Sequence, residues 1–293
     1  MKSFIEALQQ RQLLVFDGAM GTQLEERGMH PGPECNIKAP DIVADVHRAY
    51  IEAGANVLIT NTLTANRLAL GRSSEADLVK EYNAASVKIC KEVAGDRAYV
   101  AGDVSSTGQF LEPYGDYTEE QFYEVFSEQA KLLAEAGVDL IIIETMTDLN
   151  EIVVAIKACK GSTKLPVIAS MSFDPATEGF RTVMGNDVEA CVKKMVEAGA
   201  DVIGSNCGGI TPEQMSEVIA RMRQFTDKPL IAEPNAGLPE LIDGKAQFNL
   251  PLDDFAAGVV KCVEAGALLV GGCCGTTPAH IAALRRAVDS LNR

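Results

Sequence analysis

Eight short apolar segments recur along the chain, and longer segments with helical spacing of apolar residues separate them. Continuous apolar runs of this kind, without alternating polar positions, are typical of strands buried on both faces of a parallel sheet. Strands that alternate with helices predict a parallel α/β fold. The eight candidate strands are residues 13–16, 57–60, 98–101, 140–143, 166–170, 202–205, 229–232 and 267–271.

A repeated tripeptide supports this count. Glu-Ala-Gly occurs four times, ending at Gly54, Gly137, Gly199 and Gly266, and each copy closes a helical pattern shortly before a candidate strand. A glycine just past a helix end can adopt the left-handed conformation that stops the helix. Eight such units in a chain of this length predict a single (β/α)8 TIM barrel. The alternative is an open doubly wound sheet, but the glycines of segment 18–21 have the wrong spacing for a dinucleotide-binding motif.

The composition is compatible with a soluble cytoplasmic enzyme that has a sizeable core. The 293 residues are 47% hydrophobic, yet no apolar run approaches the length of a membrane span, so we expect no membrane partner. The net charge of −15 argues against nucleic acid, because phosphate binding needs a basic surface. The N-terminal residues show no signal-peptide pattern. The eight cysteines are therefore expected to stay reduced, which favours metal binding or catalysis over disulfides.

Three of the cysteines stand directly after candidate strands. Cys207 follows the sixth strand, and the adjacent pair Cys273 and Cys274 follows the eighth. The carboxyl ends of barrel strands form one rim, where the chemistry of such barrels is found. Three thiolates on that rim would make an open zinc site, with the fourth position left for a substrate. On spacing alone, a strained vicinal disulfide or a set of small buried hydrophobic residues stays open as an alternative.

The adjacent cysteines can reach one metal only where the backbone bends, because neighbouring side chains of a regular strand point to opposite faces. Gly271, Gly272 and Gly275 permit such a bend. Four of the other cysteines fall in helical patterns with apolar neighbours, which indicates core positions, and Cys35 is left unassigned. None of the three histidines is assigned to the metal.

Further groups on the same rim could hold an amino acid. Asp17 and Glu144 follow the first and fourth strands, and together they could bind an ammonium group; the alternative for Glu144 is a salt bridge at the barrel mouth. Backbone N–H groups of segment 17–22 could hold a carboxylate, although an ordinary tight turn would have the same composition. No lysine ends a strand, so a Schiff-base mechanism lacks its nucleophile.

Together these motifs resemble the homocysteine S-methyltransferase family, and they are most similar to its cobalamin-dependent branch. The paired glycines and cysteines, with the distant third cysteine, are specific to this family. One departure is Leu63, where relatives often carry phenylalanine. The matching segments span nearly the whole chain and are 17–22 (DGAMGT), 36–40 (NIKAP), 61–62 (NT), 144–145 (ET), 206–207 (NC), 233–237 (EPNAG) and 271–278 (GGCCGTTP).

The resemblance implies an enzyme that transfers a methyl group to the thiol of homocysteine and so forms methionine. It implies one zinc ion on the catalytic residues Cys207, Cys273 and Cys274, with Asn235 as a resting fourth ligand that the substrate thiol displaces. Residues 1–293 would form one homocysteine-binding barrel domain. Relatives of the cobalamin-dependent branch carry further modules, so the chain is expected to be either an excised domain or a standalone enzyme.

The resemblance also implies which residues contact homocysteine. Asp17 and Glu144 would hold its ammonium group, and backbone N–H groups near Gly18 and Ala19 would take its carboxylate. The full set of substrate-binding residues assigned in this way is Asp17, Gly18, Ala19, Asn61, Glu144, Asn206 and Asn235.

The methyl donor is the least determined part of the prediction. Similarity to the cobalamin-dependent branch favours methylcobalamin on a corrinoid protein or domain, which would approach an open barrel mouth. Residues 105–118 form the only long loop expected there that could build a small-molecule donor pocket. S-methylmethionine, S-adenosylmethionine and betaine are alternatives, and betaine is disfavoured because only 5% of the residues are aromatic. A non-catalytic module that binds zinc or homocysteine is the competing hypothesis of a different class.

Overall fold

The fold consists of eight parallel strands that alternate with helices. A computed structural model describes residues 2–242 and 245–291 of the chain. The strands of the barrel, numbered in chain order, are β1 (Leu14–Val15), β2 (Val57–Ile59), β3 (Tyr99–Val104), β4 (Leu140–Met146), β5 (Val167–Met171), β6 (Val202–Asn206), β7 (Leu230–Glu233) and β8 (Ala267–Val270).

The strands form a closed ring. Their order is β1, β8, β7, β6, β5, β4, β3, β2, and the β1–β8 pair has Leu14 opposite Leu269. The ring closes between β1 and β2, where Phe16 bridges Val57 in parallel and the Asp17 N–H donates to the Val57 carbonyl over 3.0 Å. The predicted (β/α)8 barrel is confirmed, and all eight carboxyl ends lie on one rim.

Helices surround the ring, and several of them begin at a side-chain cap. Thr118, Asp148, Asp187 and Thr211 each accept a hydrogen bond from a backbone N–H of the first turn, which satisfies one of the free donors at a helix start. Within residues 2–242 and 245–291, no helix has the length and apolar character needed to cross a membrane. The α-helices are α1 (Phe4–Gln9), α2 (Gly21–Glu26), α3 (Cys35–Lys38), α4 (Pro40–Glu52), α5 (Arg67–Gly71), α6 (Val79–Ala94), α7 (Glu119–Ala136), α8 (Leu149–Ser162), α9 (Val188–Ala198), α10 (Pro212–Arg223), α11 (Leu252–Glu264) and α12 (Pro278–Leu291).

The glycine of each Glu-Ala-Gly copy takes the predicted conformation. Gly54, Gly137, Gly199 and Gly266 have φ angles of 97°, 98°, 102° and 112°. A side chain at these positions would be strained, because L-residues rarely adopt positive φ. The repeated tripeptide therefore ends the helices that lead into β2, β4, β6 and β8.

Apolar side chains fill the interior of the barrel and close its amino-terminal end. Helix α1 covers this end, and Phe4 meets Tyr99 edge-on with ring centroids 5.5 Å apart. A larger apolar layer lies between the outer face of the strands and the helices. With the other end closed, the carboxyl rim remains as the place for a site. The fully buried interior residues include Leu14, Phe16, Leu140, Ile142, Ile168, Val202, Ile231 and Leu269.

Two strands extend further than the apolar pattern predicts. The third and fourth runs end at residues 101 and 143, whereas β3 continues to Val104 and β4 to Met146. Asp103 and Glu144 therefore lie inside strands, and their backbones are fixed by strand pairing. A prediction from apolar runs alone could not assign these polar residues to a buried strand.

The expectation of a single long rim loop is wrong. The connection after β5 contains a short hairpin, Asp174–Pro175 with Phe180–Arg181. The connection after β7 contains a second hairpin, Glu240–Ile242 with Lys245–Gln247. Neither pairing has the strong apolar alternation that identifies a hairpin from sequence.

Candidate active site

A cavity of about 340 Å³ opens at the carboxyl ends of the strands. Its described lining includes two carboxylates, Asp103 and Glu144, and no lysine, arginine or histidine. The cavity is therefore suited to a ligand that brings its own positive charge. The remaining lining residues are Gly18, Ala19, Met20, Gly21, Thr22, Pro31, Gly32, Pro33, Ile59, Thr60, Asn61, Leu63, Thr64, Thr145, Cys207, Gly272, Cys273 and Cys274.

The three predicted thiols meet in the wall of this cavity. The Sγ atoms of Cys207, Cys273 and Cys274 all lie within 4.8 Å of one another, and those of Cys207 and Cys274 are 3.8 Å apart. All three are half-buried, whereas the other five cysteines are buried away from the site. Among the described residues, no histidine or carboxylate joins this group. The structure thus separates three thiols that could hold a metal from five packing residues.

Backbone turns bring the thiols together. Strand β8 ends at Val270, and Gly275 with φ 76° turns the chain away from the rim. The turn is fixed because the Thr276 hydroxyl donates to the Cys273 carbonyl over 2.7 Å. Cys207 itself has φ 55°, an uncommon left-handed conformation for a residue with a side chain. Such backbone strain is found at functional sites.

The three thiols influence one another's ionisation. The contacts with Cys273 and Cys274 lower the pKa of Cys207 to about 3. The contact with Cys207 raises the pKa of Cys273 well above its usual range and the pKa of Cys274 to about 12. A divalent cation would allow all three to ionise, because metal binding releases the thiol protons.

Asn235 is a buried residue beside Cys207, and its side-chain oxygen is free to bind a ligand. It is 3% exposed, and its Nδ2 donates to the Gly208 carbonyl over 3.0 Å. A hydrogen bond from Asn235 adds to the lowering of the Cys207 pKa, after the larger effects of Cys273 and Cys274. Its Oδ1 is buried without a hydrogen-bond partner. A buried oxygen without a partner is costly unless a ligand uses it.

Asn206 is fully buried and does not line the cavity. Its Nδ2 donates to Glu144 Oε2 over 3.2 Å and to Thr145 Oγ1 over 2.7 Å. Its Oδ1 accepts from the Thr145 N–H over 2.9 Å and from the Ser170 hydroxyl over 2.7 Å. The structure therefore places Asn206 behind Glu144, as a residue that orients it, and does not bring it to the substrate cavity.

Three buried carboxyl groups at the rim and the half-buried Glu144 influence one another. Burial is the main cause of their raised pKa values: the pKa of Glu144 rises to about 7, and those of Asp17, Asp103 and Glu233 rise well above the usual range. The charge of Glu144 raises the pKa of the other three further. A bound cation would favour the ionised forms. Asp103 and Glu233 are not among the predicted site residues, although both follow closely after predicted strands, the third and the seventh.

The other residues predicted to contact the substrate differ in whether they line the cavity and in whether their polar groups already have hydrogen-bond partners. Gly18 lines the cavity, but the Ala19 N–H already donates to the Thr276 hydroxyl over 3.0 Å. Asn61 also lines the cavity, and its Nδ2 donates to the Gly32 carbonyl over 2.9 Å. Asp17 is 2% exposed and is absent from the described lining; its Oδ2 accepts from the Ile59 N–H over 3.0 Å.

A barrel with three convergent thiols in a carboxylate-lined cavity defines an enzyme whose chemistry centres on sulfur. The sequence model of one family, homocysteine S-methyltransferase, matches residues 14–288. The chain belongs to this family. The predicted family and enzyme class are therefore confirmed.

Individual relatives agree with this assignment. The chain is 32% identical over 310 residues to methionine synthase of Mycobacterium tuberculosis (99% of this chain, 26% of the relative). It is 31% identical over 309 residues to methionine synthase of Mycobacterium leprae (98% of this chain, 25% of the relative). The chain thus spans about a quarter of the length of these curated relatives.

Solved structures with the same fold were also found. The metallated form of the homocysteine methyltransferase MmuM from Escherichia coli has a TM-score of 0.77 and 25% identity, with coverage of 96% of this chain and 99% of that chain. Dihydrodipicolinate synthase DapA-2 from Bacillus anthracis has a TM-score of 0.54 and 14% identity, covering 96% of this chain and 76% of that chain, and it shares the fold alone.

Proposed function

We propose that this chain transfers a methyl group to the thiol of homocysteine and so forms methionine. The observation that carries the proposal is the convergence of Cys207, Cys273 and Cys274 in the wall of a carboxylate-lined cavity. The family match and the relatives named methionine synthase support the same reaction. Eight reduced cysteines also support a cytoplasmic location, where disulfides are rare.

The three thiols suit a zinc ion. Their sulfur atoms are close enough to share one ion, and thiolate sulfur is a ligand that zinc prefers. The unpartnered Oδ1 of Asn235 supports this residue as the resting fourth ligand. A metallated form of MmuM supports a metal in structural relatives. When bound, zinc would keep the homocysteine sulfur as a thiolate at neutral pH.

The chain's own residues would bind and orient the amino acid. Glu144, held by Asn206 on one side, would accept the substrate ammonium group. Asp17 would support the same cation through its unpartnered Oδ1. The carboxylate would meet the backbone at Gly18, since the Ala19 N–H is already bonded to Thr276. With both charged groups of its α-carbon held, the amino acid would direct its sulfur to the three thiols. The sulfur would then attack the methyl carbon in line as the bond between that carbon and the donor breaks.

A methylcorrinoid protein or domain is the proposed methyl donor. The relatives named methionine synthase are about four times as long as this chain, so they have room for further modules. The structural relative MmuM supports instead a donor that acts without such modules, because this chain covers 99% of its length. We choose the corrinoid donor because the sequence is more similar to the methionine synthases, at 32% identity against 25%.

A donor panel tests the reaction and the donor together. Zinc-loaded protein is mixed with homocysteine and, in separate reactions, with methylcobalamin, S-methylmethionine, S-adenosylmethionine or betaine, and methionine is measured. We expect turnover with methylcobalamin. Deletion of the tip of loop 105–118, around the exposed Tyr114, should leave that turnover intact. Turnover with S-methylmethionine or betaine only would contradict the donor, and homocysteine binding without any turnover would favour a non-catalytic module.

Glu144→Gln is expected to weaken homocysteine binding while zinc stays bound. The amide keeps the shape of the side chain but removes the negative charge that meets the ammonium group. Loss of a charge-assisted hydrogen bond costs about 1.5–3 kcal/mol, which corresponds to roughly 10–150-fold in the dissociation constant. Titration calorimetry on the zinc-loaded protein measures this constant.

Glu151→Gln is the matched control for this substitution. Glu151 is buried, its oxygens accept hydrogen bonds from Ser106 and Thr107, and it does not line the cavity. Its replacement should leave homocysteine affinity within about twofold. An unchanged dissociation constant for Glu144→Gln would argue against the ammonium role.

A further inference from the structure

Asp103 is a buried carboxylate at the site, and the methyl transfer as proposed so far assigns it no role. It lies in β3, is 4% exposed and lines the cavity. Its backbone is held on both sides: its N–H donates to Thr60 Oγ1 over 3.0 Å, and its carbonyl accepts from Thr62 Oγ1 over 2.8 Å. The backbone of Asp103 is therefore fixed in the cavity wall.

No described residue satisfies this carboxylate. Its Oδ1 is buried and has no hydrogen-bond partner. Glu151 has the same exposure, 4%, yet it accepts from the Thr107 N–H, the Thr107 hydroxyl and the Ser106 hydroxyl, each over 2.8 Å. At Glu151 the chain thus supplies three donors to a buried carboxylate. An unpaired buried carboxylate is costly, so the contrast points to a ligand for Asp103.

The surroundings of Asp103 define the charge of that ligand. The nearby charged groups that act on it are Glu144, Glu233 and Asp17, and all three are acidic. The described cavity lining contains no lysine, arginine or histidine. The three thiols form the group suited to a metal, and Asp103 is not part of it. A small organic cation with several N–H donors fits these conditions, because one ammonium group can donate to three acceptors.

We propose that Asp103 accepts a hydrogen bond from the ammonium group of the substrate and helps to select amino-acid thiols over thiols without an amine. This inference rests on the proposed function and adds a specificity-determining residue to it. The ammonium group has three N–H donors, so Asp103 can accept one of them beside Glu144. A thiol without the amine would leave Asp103 buried and unpaired, and sites that leave a polar group unpaired reject such analogues strongly.

Two ligands that differ only in the amine test this role. Zinc-loaded wild-type protein and Asp103→Asn are titrated with L-homocysteine and with 4-sulfanylbutanoate, which carries hydrogen in place of the amino group. For Asp103→Asn, we expect homocysteine to bind about 10–150-fold more weakly, the loss of one charge-assisted hydrogen bond. The dissociation constant of 4-sulfanylbutanoate should stay within about twofold or decrease. The preference of the protein for homocysteine over 4-sulfanylbutanoate should therefore fall by about 10–150-fold in this variant.

A purely structural role for Asp103 predicts a different pattern. Equal weakening of both ligands, or no weakening of either, would overturn the inference. Zinc content and the melting temperature report whether Asp103→Asn folds, and Asp103→Ser provides a second, smaller replacement with the same expected selectivity loss. If the wild-type protein binds no homocysteine, the proposed function itself fails. If it binds homocysteine and only the variant pattern disagrees, the function stands and the role of Asp103 falls.

Discussion

Cys273→Ala is expected to lose most of its bound zinc, and methyl transfer with it, whereas we expect the wild-type protein to bind one zinc ion per chain. The substitution removes one of the three sulfur atoms that lie within 4.8 Å of one another. Loss of a residue that only supports a metal ligand costs about 10–100-fold in metal affinity, so the loss of a ligand should cost more. Elemental analysis after dialysis against a weak chelator measures the zinc content.

Cys191→Ala provides the control for this experiment. Its thiol is fully buried in α9 among apolar residues, away from the rim. This variant should keep one zinc per chain, with a modest loss of stability from the shortened side chain. If Cys273→Ala kept its full zinc content, the assignment of the metal site to the three thiols would be wrong.

Acid is expected to destabilise the fold through His47. This residue lies in α4 and is fully buried, and neither ring nitrogen has a hydrogen-bond partner among the described residues. Burial therefore lowers its pKa from 6.5 to about 4. The unfolded chain binds a proton near pH 6.5 and the folded chain only near pH 4, so stability is full above pH 6.5 and is lost as the pH falls towards 4. The shift corresponds to a loss on the order of 3 kcal/mol.

Comparison of variants isolates this contribution. The buried carboxyl groups have raised pKa values and act in the opposite direction, so the pH profile of the wild-type protein alone is not diagnostic. Urea unfolding of metal-free protein at pH 7 and pH 4.5 should show a smaller acid loss for His47→Leu than for the wild type. His30→Gln, whose side chain is 88% exposed, should behave like the wild type. Equal acid losses in all three proteins would contradict the role of His47.

The fold could be predicted from the sequence because its signals are local. Each buried strand is an apolar run, and each Glu-Ala-Gly glycine marks a helix end that the structure confirms at positive φ. The thiols could be predicted because the barrel brings all strand ends to one rim, so that Cys207 meets two cysteines far along the chain.

The individual roles of the rim residues, either contacting a ligand or orienting another side chain, could not be predicted in the same way. Asn206 and Glu144 both end strands, but only the three-dimensional contacts show that Asn206 is used to orient Glu144. Asp103 lies one position before the end of β3, and only burial together with its unpartnered oxygen marks it out. Spacing along a chain identifies which residues reach a site, whereas the partners of each atom decide which residues remain available to a ligand.

The two strands that carry the thiols are not neighbours in the barrel. Strand β7 lies between β6 and β8, and Cys207 and Cys274 are 67 residues apart along the chain. An ion held by both would be a cross-link that spans three strands and fastens a long stretch of chain. For a covalent cross-link over such a length, chain entropy gives a stabilisation of about 4 kcal/mol. The metal would thus tie three adjacent strands of the barrel together. Loss of zinc would then lower the stability of this part of the fold as well as remove the chemistry.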